Sequence, residues 1–126
     1  ETMSKKHLAA QERLRLYALS LPDAVEEHPW GHIAIKVRKK TFVFLGGEKA
    51  EGALSVTVKL PVSAEMALTL AYIERAGYGL GASDWVTARP GPKDSLDVDM
   101  LKGWIRQSYR AVAPKALVKT LDAKGA

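Results

Sequence analysis

Between His32 and Leu60 apolar and polar residues alternate, and no other feature of the chain narrows its possible folds so much. Ile33, Ile35 and Val37 fall on one side of an extended chain, with His32, Ala34, Lys36 and Arg38 on the other. Leu54, Val56, Val58 and Leu60 repeat the pattern against Ser55, Thr57 and Lys59. Thr41-Phe42-Val43-Phe44-Leu45, between them, is apolar on both sides, as in a more central or better covered strand. A one-residue slip would turn every apolar side chain to water, so the register is strongly specified. The pattern predicts three consecutive antiparallel strands, with a turn at Lys39-Lys40 and a loop from Gly46-Gly47 to Gly52. Ile33, Ile35, Val37, Leu54, Val56 and Val58 should then face the helices.

Helical spacing flanks this segment. Ala10, Leu14, Tyr17 and Leu21 recur at helical intervals after a candidate N-cap at Ser4, and Pro22 ends the run because it cannot continue the hydrogen-bond ladder. Pro61 and Ser63 open a second predicted helix with the stripe Met66, Leu70 and Ile73. Gly77, Gly79 and Gly81 form a connection to a fourth strand from Asp84 to Pro90, with Trp85, Thr87 and Arg89 on one face. Asp97 or Asp99 caps a third helix along Leu101, Trp104 or Ile105, Ser108 and Val112, followed by a helical tail over residues 115–126. The predicted order is α-β-β-β-α-β-α. Strands in runs with helices between runs indicate an α+β fold, a two-layer domain in which an antiparallel sheet packs against helices.

The 126 residues suit one domain with its own core, and the first five read as an appended or disordered start. The chain has no cysteine, which removes disulfides, thiolate metal sites and thiol nucleophiles together. No apolar run is long enough to cross a bilayer and no apolar leader is visible, so a soluble cytoplasmic protein is expected, without a membrane partner. The net charge of +5 favours anionic partners. It is unevenly spread: residues 32–60 carry +4, and residues 22–31, with Asp23, Glu26 and Glu27, carry −3.

No constellation reads as an active site. His28 and His32 are four apart, but Pro29 and Gly31 between them deny the shared helix face that metal ligation at this spacing uses. The segment reads as a solvated acidic turn, and no metal or other cofactor is expected. Gly77-Tyr-Gly-Leu-Gly81 follows a helix, leads into a strand and lacks the lysine of a phosphate loop. Asp94, Asp97 and Asp99 lack the spacing of a calcium loop and are explained by helix capping. No serine sits in a nucleophile elbow, and Ser108 reads as a buried hydroxyl bonded to backbone. His7 stands alone in the first helix. Trp30, between Pro29 and Gly31, reads as a structural ring closing one end of the core.

What remains is a basic sheet surface. Lys36, Arg38, Lys39, Lys40, Lys59 and Arg89 form the candidate nucleic-acid-binding set, with Trp85 and His32 among them and the hydroxyls of Ser55, Thr57 and Thr87 between. Lysine and arginine make charge-assisted bonds to phosphates, and a tryptophan can stack on a base. The competing reading is an ordinary wet sheet face on which Trp85 covers apolar surface.

Several blocks resemble the MmcQ/YjbR family: Leu21-Pro-Asp-Ala-Val-Glu-Glu-His-Pro-Trp-Gly31, the Lys39–Phe44 strand, Ser55-Val-Thr-Val-Lys59, Tyr78-Gly-Leu-Gly81, Trp85-Val-Thr87 and Ile105-Arg-Gln-Ser-Tyr-Arg110. They run in order over about Leu14 to Lys115. The resemblance implies a two-layer domain like that of secretion chaperones, also described as a double-wing DNA-binding fold. It supplies no catalytic motif. Relatives often carry glycine at the turn where this chain has Lys39-Lys40, so this wing is more basic. The resulting expectation is a non-enzymatic DNA-binding protein with low sequence specificity. The alternatives are a protein-interaction or chaperone-like module, and a small-molecule pocket bounded by Trp30, Tyr78 and Trp85.

Overall fold

A computed structural model describes residues 5–28, 32–46, 54–76, 84–91 and 93–124. Its elements run α1 (Lys5–Leu19), β1 (Ala24–Glu27), β2 (Ile33–Val37), β3 (Lys40–Leu45), β4 (Val56–Lys59), α2 (Ala64–Ala67), β5 (Ile73–Arg75), β6 (Trp85–Ala88), α3 (Val98–Val112) and α4 (Lys115–Ala123). The six strands form one sheet in the order β1-β2-β3-β4-β6-β5, every pairing antiparallel. The α+β expectation holds, and the alternating segment gives three consecutive strands.

The cross-strand register explains which side is buried. Ile35 pairs with Val43, Val43 with Val58 and Val58 with Val86, so four aliphatic side chains line up on one face. Each is at most 1% exposed. Leu14 and Ala18 of α1 and Leu101, Trp104, Ile105 and Tyr109 of α3 belong to the same core. Lys36 and Lys59 point to the other side and are only half-buried.

A bulge lies at the centre of the sheet. One step from Ile35 to Lys36 is matched by two steps from Val43 to Thr41, which leaves Phe42 without a partner. Phe42 and Val43 are therefore both fully buried although they are neighbours in a strand. The Phe42 ring meets the Tyr109 ring edge-on, with centroids 5.2 Å apart. The two-sided apolar pattern of residues 41–45 thus reflects a bulge as well as a central position.

The bulge would orphan backbone groups next to it, and α3 repairs this. The Ser108 hydroxyl accepts from the Lys59 amide at 2.9 Å and donates to the Phe42 carbonyl at 2.6 Å. One side chain thereby completes the β3–β4 ladder and pins the helix to the sheet. One residue on, the Tyr109 hydroxyl donates to the Pro22 carbonyl, tying α3 to the turn after α1. Burial raises the pKa of that phenol. The Gln107 carbonyl oxygen accepts from the amides of Val62 and Ser63, and its amide donates to the Ser63 hydroxyl. Gln107, rather than Ser63, thus satisfies the start of α2. Asp97 caps α3 as expected, accepting from the Met100 amide.

Three expectations about individual elements are corrected, and the element order with them. The acidic stretch after Pro22 is an edge strand: Ala24, Val25, Glu26 and Glu27 pair with Val37, Lys36, Ile35 and Ala34. The second helix stops at Ala67, so Met66 is exposed and Ile73 lies in β5 opposite Ala88. Three apolar residues at helical intervals are too few to sustain a helix, and β-branched Ile73 fits a pleated surface. The turn between β2 and β3 is Arg38-Lys39, with Lys40 already paired in β3 opposite Val37. The element order is accordingly α-β-β-β-β-α-β-β-α-α. The C-terminal tail is a packed helix: Leu121 is buried, and Asp122 pairs with Arg106 and Arg110. His7 is also buried, its Nε2 donating to the Asp94 carbonyl at 3.3 Å.

Candidate nucleic-acid interface

The β2–β3 connection has two central residues, Arg38 at φ 49° and Lys39 at φ 71°. Positive φ at both positions is the type I′ pattern, which matches the twist of the flanking strands. Glycine and asparagine are the residues that adopt it readily, because a Cβ in the left-handed region crowds the carbonyl and costs about 1–2 kcal/mol per residue. This chain places two long cations there.

The turn leading into β1 adds a third residue with positive φ. Ala24 pairs with Val37, so Asp23 lies beside Arg38, and Asp23 also has positive φ, at 60°. Three of the four non-glycine residues with positive φ among the described residues therefore meet at one corner. Arg38 donates from Nη2 and Nε to one oxygen of Asp23, at 2.9 and 3.1 Å. Both side chains remain more than half exposed.

Of the six candidate cations, three are engaged locally. Arg38 pairs with Asp23, Lys36 with Glu27 across the β1–β2 ladder at 2.9 Å, and Arg89 with Glu74 at 3.1 Å. Lys39 and Lys40 are exposed, Lys59 is half-buried, and no carboxylate among the described residues pairs with any of them. The set is also not one cluster. Arg38, Lys39 and Lys40 share the corner, and Lys36 and Lys59 are close to it on the face turned from α1 and α3. Lys59 pairs with Trp85, at the start of β6, whereas Arg89 follows the far end of that strand. At about 3.3 Å per residue, roughly 13 Å separates the Trp85 and Arg89 positions along it.

The aromatic and hydroxyl groups expected among the cations are mostly occupied. Trp85 is 9% exposed and packs on Phe44, with ring centroids 6.1 Å apart. Thr87 is buried and shares a 2.9 Å hydrogen bond with Thr57, and the Ser55 hydroxyl donates to the Gly46 carbonyl. The Trp85 ring is thus nearly covered, and all three hydroxyls already have a hydrogen-bond partner within the chain. Trp30 and Tyr78, the other two bounds of the expected pocket, lie outside the described residues. An open hollow of about 530 Å³ lies elsewhere, lined by Arg13, Tyr72, Ser95, Leu96, Asp97, Val98 and Asp99.

A second ion-pair group braces the same edge. Arg15 of α1 bonds both oxygens of Glu26 at 3.0 and 3.1 Å and also reaches Glu12 at 2.8 Å. His28 lies 2.7 Å from Glu26. The Arg15 bonds, aided by His28, hold the Glu26 carboxyl below its usual range. His28 is thus engaged with a carboxylate. No group of three or more potential metal ligands gathers among the described residues, and no helix among them is long and apolar enough to cross a membrane.

Helices on one face of a six-stranded antiparallel sheet, with a cationic hairpin at one corner, define a two-layer α+β domain. A family model described as YjbR matches residues 19–111, from the end of α1 into the last turn of α3. The chain belongs to the YjbR family. A search of curated proteins finds no match.

Proposed function

We propose that this chain is a non-enzymatic, cytoplasmic DNA-binding protein that holds the phosphate backbone with Lys39, Lys40 and Lys59. The observation that carries the reading is a lysine at φ 71°, a turn position whose backbone favours glycine. Strained residues collect at functional sites, and here the strained side chain is a solvent-exposed cation beside a second one. The turn extends little beyond its neighbour, because β1 pairs as far as Val37. Long side chains, rather than the ribbon itself, would meet the duplex. That geometry suits phosphate contact without base reading, so binding should be weakly sequence-dependent, with Kd on the order of 10⁻⁴–10⁻⁶ M at physiological salt.

Fluorescence anisotropy with a labelled duplex, over a series of salt concentrations, tests this. Replacing Lys39 and Lys40 together by glutamate should flatten the slope of log K against log salt by roughly 2 units, about 0.9 per lost phosphate contact. An unchanged slope in the double variant would remove these lysines from the interface.

A second reading, a protein-interaction module, draws on a different observation. β1 is an edge strand with Val25 exposed, and Leu8 and Leu16 are exposed on α1, the helix that Arg15 ties to β1. An unpaired edge flanked by apolar side chains can accept an extended partner segment.

A further inference from the structure

We infer that Asp23 is an internal competitor for the anion site, withholding Arg38 from phosphate and so setting how tightly the corner binds. The inference rests on the nucleic-acid reading above and names a regulator within that site. Arg38 lies between Lys39, which has no carboxylate partner among the described residues, and Asp23, which takes both of its hydrogen bonds on a single oxygen. A phosphate offers the same guanidinium the same kind of charge-assisted bonds. The pair is exposed on both sides, and exposed ion pairs contribute little to stability, so exchanging carboxylate for phosphate meets a low barrier.

The backbone supports the assignment independently. Asp23 and Arg38 both have positive φ although they belong to different connections, one after α1 and one between β2 and β3. Aspartate is among the residues that tolerate this conformation and arginine is not, and each conformation brings its side chain to the other. The Tyr109 hydroxyl fixes the carbonyl of Pro22, immediately before Asp23, so the acid is presented from a tethered turn. Asp23 also belongs to the acidic segment that the sequence sets beside the +4 segment. A fourth cation is thereby present at the corner but already neutralised.

Asp23→Asn tests this, because asparagine tolerates the left-handed conformation and lacks the charge that holds Arg38. Duplex binding is measured by anisotropy between 50 and 200 mM salt for wild type, Asp23→Asn, Arg38→Gln and the double variant, with melting curves to show that each folds. Asp23→Asn should bind more tightly at low salt and steepen the slope by about 0.9 units. That is roughly a three- to fourfold larger loss of affinity across this salt range. In the Arg38→Gln background the same change should have almost no effect on the slope. An equal steepening in both backgrounds would make Asp23 a general repulsive charge and overturn the inference alone. If neither wild type nor Asp23→Asn binds at low salt, the nucleic-acid reading falls and this inference with it.

Discussion

The junction of α3 with the sheet and the corner at the β2–β3 turn treat polar groups in opposite ways. At the junction each group has a partner: Ser108 bridges Lys59 and Phe42, Tyr109 reaches Pro22, and Gln107 closes the start of α2. These side chains sit on a helix whose buried positions follow a regular stripe, and each bond serves the fold. At the corner Arg38 and Lys39 adopt a backbone conformation that their side chains disfavour, and Lys39 and Lys40 face water without a carboxylate partner among the described residues. Folding accounts for the first region. It does not account for the second, where local stability would be served by glycine. Consistency between local preference and global fold is the rule, and departures from it mark places where something else is being satisfied.

Substitutions at the two regions should differ in size, in sign and in what they affect. The largest effect should come from Tyr109→Ala, which removes a fully buried ring packed on Phe42 and should cost about 3–5 kcal/mol in chemical denaturation. Ser108→Ala should cost about 1–3 kcal/mol, because it leaves the Lys59 amide and the Phe42 carbonyl unpaired beside the bulge. A Ser108→Ala variant that melts with wild type would show that the β3–β4 ladder closes without the hydroxyl.

At the corner the sign reverses. Lys39→Gly relieves a left-handed side chain and should raise stability by about 1 kcal/mol, read from the denaturation midpoint. The same variant should bind duplex DNA more weakly. A substitution that stabilises the fold and weakens binding is the signature of a position held against local preference. Loss of stability in Lys39→Gly would mean that its side chain supports the turn, and the contrast between the two regions would disappear.

The smallest effect concerns pH. Glu26 is held below its usual range in the folded chain, so its contribution is present above the unfolded value near 4.5 and is lost as pH falls through the lower folded value. The melting temperature of wild type should therefore exceed that of Glu26→Gln at neutral pH by a margin that shrinks below about pH 4.5. A margin independent of pH would assign the difference to packing.

How much of this was legible in the sequence follows from the length and regularity of each signal. Strands β2 to β4 could be read because alternation over many residues admits one register, and α3 because its stripe, Leu101 to Val112, spans about three turns. β1 was hidden: it has four residues, two of them acids, between Pro22 and Pro29. β5 has three, and Ile73 completed a helical interval by coincidence. The turn at Arg38-Lys39 has no sharp signature in the sequence, because arginine and lysine carry no turn signal of their own, whereas a glycine would mark it. Ser108 was readable as a buried backbone-bonded hydroxyl from its position on the stripe. Its role in the bulge was not, since the bulge arises from pairing between strands.

The candidate site was legible as a charge excess and not as a geometry. Lys36, Arg38 and Arg89 find acids on neighbouring strands or turns, and such partners follow from strand order, which sequence spacing does not give. Asp23 was visible only as part of an acidic segment. Its contact with Arg38 requires β1 to pair with β2, and the acidic sequence of β1 resembles a solvated turn.

The central claim is that the corner is built to hold phosphates, and the salt dependence of wild-type binding tests it most directly. With Lys39, Lys40 and Lys59 as the contacts, log K for a DNA duplex should fall with log salt at a slope of about −3, near −0.9 for each lysine. A slope near zero, or no binding at 50 mM salt, would contradict it and leave the strained cations at this turn without a nucleic-acid role.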